Sequence, residues 1–177
     1  MCTMIPTEDH AKQLWDKYGL PEGKRRHVEL VARAARFLAE QINKATKRQM
    51  NKPLLQAGAL LHDIDKNVEK LPGEKHPDAG VRILREEGMG EVAALVKTHP
   101  LHAILDPAIA PKTLEEKLLY LADKMVKYEV IGVDARFKLW NDEHLPKDQQ
   151  KILDAAYPKV KALEKEILAK IGQKEYT

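Results

Sequence analysis

Apolar residues recur along this chain at spacings of three and four. Val28, Val31, Ala35, Leu38 and Ile42 form one such stripe. One face of a helix repeats with this period, so the stripe predicts a long helix over about 24–45. Upstream, Thr7 as N-cap and the turn residues Gly19, Pro21 and Gly23 bracket a shorter helix ending near Tyr18. Pro53 suits the first turn of a third helix. Its text, LLQAGALLHD, is apolar almost all round, which predicts a central, buried position. It ends near His62 and Asp63, and DKNVEKLPGEK reads as a loop. Further helices are predicted from near Pro77 to before Gly88, and from about Glu91 to Thr98, stopped by Pro100. A looser stretch with Pro107 and Pro111 follows. Thr113-Leu-Glu-Glu116 is a capping box that opens a helix through Leu118, Leu119, Leu121 and Ala122 to Asp123. From about Lys147 to Ile171 the pattern is one or two amphipathic helices rich in Lys and Glu. No alternating strand pattern is convincing, so the expected fold is all-α.

Composition narrows the class. A chain of 177 residues suits one domain, here 1–177, with its core at about 24–140. The formal net charge of +3 lacks the clustered basic footprint of a nucleic-acid binder. The single cysteine, Cys2, allows no disulfide within the chain and reads as a terminal residue without a role. No apolar run approaches the ~18–20 residues of a membrane span. The first residues show no basic region leading into an apolar stretch. A cytoplasmic protein is expected.

Four residues interrupt faces that should be core. His27 lies one turn before Val31, and His62 and Asp63 end the most apolar helix. Asp123 sits one turn after Leu119 and three residues before Val126. Each alone has a plainer reading: a solvated helix histidine, a hydrogen-bonded core histidine, a helix end, and a partner for Lys124 or Lys127. Together they suggest one solution, because a buried unpaired carboxylate is expensive. Imidazoles and carboxylates from different helices can converge on a cation, and they are the ligand set of Zn, Mn, Fe, Co or Ni. No thiolate is nearby, which excludes a structural cysteine-type zinc site.

The order is a helix histidine, an adjacent His-Asp pair, and a distant aspartate in a leucine-rich helix. It resembles the HD-domain superfamily of metal-dependent phosphohydrolases. The matching text is RRHVELVARAARFLA, AGALLHDIDK, HPDAG, VKTHP and LLYLADKMVKYEVIGVDARF, spanning roughly residues 24 to 140. The resemblance implies a helical bundle with a metal site between helices, its ligands His27, His62, Asp63 and Asp123. His76 and His99 lie where some subfamilies add two histidines and hold a second ion, with Asp63 as the bridge. The other reading has them hydrogen-bond phosphate or water around one ion. The implied cofactor is one or two divalent ions (Mn, Fe, Co, Ni, Zn or Mg). One departure stands out. Many relatives read HDIGK, whereas this chain reads HDIDK. Asp65 in that slot could cap the loop, pair with Lys66 or join the outer shell.

Phosphate hydrolysis suits these parts, since a metal ion makes hydroxide available near neutral pH and polarises phosphoryl oxygens. Asp63, Lys66 and His99 are the candidate catalytic residues. Lys66, Lys127, Arg136 and His102 are candidates for binding substrate, with a surface role as the alternative for the cations and a plain loop role for His102. His10 and His144 read as surface residues, and Trp15 and Trp140 as packing residues. The expected partner is a small phosphorylated molecule, a nucleotide above all; whether the chain forms a homo-oligomer stays open. Two other readings keep the site. One is a di-iron oxygenase. The other is a helical domain that binds a nucleotide without turnover.

Overall fold

The computed structural model describes residues 3–172 and is all-α. Cys2 lies outside the described residues. The helices are α1 (Glu8–Tyr18), α2 (Glu22–Thr46), α3 (Lys52–Leu61), α4 (Asp78–Glu86), α5 (Gly90–Lys97), α6 (Leu114–Asp123), α7 (Val133–Asp142) and α8 (Lys147–Ile171). No described helix is long and apolar enough to cross a membrane.

The capping residues act as their chemistry dictates. Thr7 Oγ1 accepts the His10 amide at 3.2 Å, and Gly19, at φ 65°, ends α1 in a left-handed conformation that glycine adopts without penalty. The Asn51 side chain accepts the Leu54 amide ahead of Pro53. The capping box at α6 closes in both directions, Glu116 N–H to Thr113 Oγ1 and Thr113 N–H to Glu116 Oε2. The tail is one helix with Pro158 inside it. Two elements go beyond the sequence pattern. Leu101–Leu105 form a short 3-10 helix, and α7 follows Gly132. Only Val133 and Phe137 of α7 are buried, too few to make a periodic stripe.

Two apolar cores share α3. Leu55 and Ala59 face a core built with α2, α6 and α8. Ala57, Leu60 and Leu61 face a second core built with α1, α4 and α5. A fully buried leucine contributes about 1.5–3 kcal/mol, so a helix apolar on every face belongs between them. Gly58 lets α5 approach closely, since a Cβ there would collide with the Leu95 side chain. That approach sets the end of α3 beside the end of α5, and with it His62 and Asp63 beside His99.

Candidate metal centre

Five elements bring six side chains together. His27 comes from the second turn of α2, His62 and Asp63 from the end of α3, and His76 from the segment before α4. His99 follows α5, and Asp123 ends α6. His62, Asp63 and His99 are buried. The four imidazoles form an edge-to-face chain, His27–His62–His99–His76, with centroid separations of 5.5, 4.8 and 4.8 Å.

Asp63 stands in the middle. Its Oδ2 faces His62 Nε2 at 3.7 Å and His27 Nε2 at 3.9 Å. Its Oδ1 faces His76 Nε2 at 3.7 Å and His99 Nε2 at 4.0 Å. Asp123 Oδ1 lies 3.0 Å from His27 Nε2 and 3.2 Å from His62 Nε2. Among the described residues, two groups are compact enough to hold a cation: His27, His62 and Asp123, and His62, Asp63 and His99.

Proton placement favours a cation. His62 Nδ1 and His99 Nδ1 meet the carbonyls of Ala59 and Val96. A carbonyl only accepts, so both Nδ1 atoms carry a proton, and Nε2 is the ring nitrogen left to ligate a cation. His62 Nε2 is buried and makes no hydrogen bond: Asp123 Oδ1 is close, but the alignment is poor. His76 Nδ1 donates to Asp65 Oδ1, and its Nε2 faces His99 Nε2 at 3.0 Å. Two ring nitrogens at that distance share either one proton or one cation. The donor set fits a divalent transition ion.

In the metal-free cluster the histidines and lysines balance the carboxylates. Burial would raise the Asp63 pKa, but the His62 imidazole, helped by His99 and Lys66 and opposed by Asp123, holds the carboxyl far below its usual range. Asp123 is likewise held low against burial, first by Lys124 and then by His62. Burial disfavours charge on His62, yet Asp63 and Asp123 outweigh it and raise its pKa. Burial, with His62 and His76 adding to it, pushes His99 well below its usual value.

A cleft of about 670 Å³ opens over the cluster. Lys66, Lys127 and Arg136 line it, whereas His102 is exposed and outside the lining. Lys66 Nζ is 3.8 Å from Asp63 Oδ1. Arg136 stacks on Trp140 at 3.7 Å, donates from Nε to Val126 O, and leaves Nη1 buried without a partner. Trp140 therefore lines the cleft, while Trp15 packs in the core and donates to Leu60 O. His144 is exposed and His10 half-buried.

Sequence reasoning misses Lys24, and it names Lys124 as a partner for Asp123 without its burial. Lys24, also in the cleft, reaches Asp63 Oδ2 at 3.6 Å. Its signal is the three-residue spacing to His27, which puts both on one helix face. Lys124 is buried, with Nζ 2.6 Å from Asp123 Oδ2 and 2.7 Å from His99 O. Asp65 does not pair with Lys66; its carboxylate meets His76 and the Gly80 amide.

The HD-domain family model matches residues 25–127, more than half the chain and all six clustered residues. The chain belongs to the HD-domain family. HD domains are generally metal-dependent hydrolases acting on phosphate substrates. No solved structure matches this HD-domain chain.

Proposed function

We propose that this HD-domain protein hydrolyses a phosphate ester or anhydride of a small molecule, a nucleotide above all, with divalent ions at the six-residue cluster. The observation that carries the reading is Asp63, whose two oxygens face different histidine pairs. On this reading His27, His62, Asp63 and Asp123 hold one ion, and Asp63, His76 and His99 a second. Bound ions of this kind lower the pKa of water and polarise phosphoryl oxygens. The chain's own residues do the rest. Lys24 and Lys66 lie beside Asp63 at the cleft wall, where they meet the negative charge that spreads over a phosphate in the transition state. Lys127 and Arg136 draw the substrate's anionic oxygens to the other wall. Lys124 fixes Asp123, and the Ala59 and Val96 carbonyls fix the tautomers of His62 and His99.

The test is a screen of phosphorylated metabolites against metal-stripped protein, with Mn, Co, Ni, Fe and Mg added one at a time. Phosphate release that needs added metal, and that disappears in Asp63→Ala, supports the reading. Tight metal binding with no release from any phosphorylated compound overturns it. Oxygen consumption by the iron form would point to the di-iron oxygenase instead.

A further inference from the structure

Three of the cluster's histidines share one requirement. To turn an Nε2 lone pair toward a cation, Nδ1 must keep its proton, and a fixed oxygen must take that proton in a hydrogen bond. For His62 and His99 this oxygen is a carbonyl three residues back in their own helices. His76 has none of that kind, because residues 71–75 lie outside any helix. Its Nδ1 donates instead to Asp65 Oδ1, at 2.7 Å.

Asp65 is fully buried. Its Oδ2 accepts the Gly80 amide at 3.3 Å, so one carboxylate ties the His76 ring to the first turn of α4. Lys70 bonds the Asp65 carbonyl rather than its carboxylate. Among the described residues, no lysine or arginine comes within ion-pair range of that carboxylate; its only charged-type partner is His76. A buried carboxylate without a cation costs free energy that a small apolar residue in the same slot would not. The chain reads HDIDK, with this acidic side chain two residues after Asp63. A glycine there could neither fix the tautomer of His76 nor place a negative charge behind it.

We propose that Asp65 is a positioning residue that builds a second divalent-cation site, holding His76 with Nε2 aimed at Asp63 Oδ1 and His99 Nε2. The inference rests on the two-ion reading above and adds to it what makes the second position bind. Asp65 touches neither cation nor substrate. It acts through His76, by orienting the ring and by making its Nε2 a stronger donor. The second ion is the one that depends on Asp65; the ion among His27, His62 and Asp123 does not.

The test is calorimetric titration of Mn and of Co into metal-stripped wild type, Asp65→Asn, Asp65→Gly and His76→Ala, with circular dichroism to confirm folding. Wild type should take up about two ions per chain. Asp65→Gly and His76→Ala should keep the tighter ion and lose the weaker one, or weaken it about 10–100-fold. Asp65→Asn should fall between, because its amide oxygen still accepts the His76 proton but carries no charge. In the Co-loaded protein the visible absorption of the second ion should be altered in Asp65→Asn. Both ions binding to folded Asp65→Gly as they do to wild type overturns the proposal. So does equal loss of both ions. If Asp65→Gly does not fold, Asp65→Asn decides: unchanged affinity and unchanged Co absorption overturn it. Wild type that takes up one ion and still hydrolyses phosphate sinks this inference and leaves the hydrolase reading standing. Two ions with Asp65-dependent binding but no hydrolysis does the reverse.

Discussion

Lys124 grips Asp123 by one oxygen only. Its ammonium lies 2.6 Å from Oδ2, which leaves Oδ1 to His27 and His62. The same ammonium caps the His99 carbonyl and lies 4.2 Å from the Tyr120 ring centroid. A single buried cation thus joins the end of α6 to the end of α5. Lys124→Met keeps the side chain's bulk but leaves Asp123 Oδ2 without its cation. Breaking a buried pair on one side costs about 3–5 kcal/mol, so the metal-stripped variant should unfold at much lower urea than stripped wild type. A difference under about 1 kcal/mol would show that Lys124 does not hold Asp123.

Asp63→Ala should lose more metal than any other single substitution in the cluster, since Asp63 faces both histidine pairs. His27→Ala removes a residue from one side only and should lose less. Elemental analysis of the purified variants beside wild type checks the order; equal metal content in Asp63→Ala and wild type contradicts the proposed ligand set.

Stability of chelator-treated protein should peak near pH 6.5, the ordinary histidine value. His99 has its folded pKa pushed down. Below pH 6.5 the unfolded chain takes up a proton that the folded chain refuses, so stability falls as pH drops. His62 has its folded pKa raised. Its contribution is complete below pH 6.5 and is lost as pH climbs through the folded pKa. Asp63 and Asp123, both depressed, add a further loss only in acid, below the ordinary carboxylate range. Urea midpoints at pH 5.5, 6.5 and 7.5 read the profile, and His99→Gln should flatten its acid side.

Arg136→Gln should raise KM for a phosphorylated substrate about 10–100-fold with metal content unchanged, because a charge-assisted hydrogen bond contributes about 1.5–3 kcal/mol. The guanidinium leaves Nη1 buried without a hydrogen-bond partner, and it is held by Trp140 and Val126 O. An unchanged KM together with lost stability would make the residue structural.

Gly58→Ala should destabilise the fold by about 1–3 kcal/mol, the usual cost of overpacking a closed core. The new methyl meets Leu95, itself buried between α3 and α5. Gly58→Ala with Leu95→Ala should recover part of the loss, and thermal melts of the single and double variants test this coupling.

Helical periodicity is a local property, and it was legible wherever a stripe was long enough. It placed α1 to α6 and α8 within a few residues, and put His27, His62, Asp63 and Asp123 on inward faces where lone polar groups are costly. It did not reveal α7, whose only buried residues, Val133 and Phe137, are too few for a stripe. The site's finer order depends on contacts between residues far apart in the chain. The close approach of α3 and α5 at Gly58 sets Asp63 beside His99, and the turn before α4 brings His76 to Asp65. Which oxygen of Asp63 faces which imidazole, why Lys124 is buried, and why His102 lies outside the cleft lining follow from how helices cross. One-dimensional spacing carries no information about that, because a helix repeats its faces along its own axis and says nothing of the angle at which the next one lies.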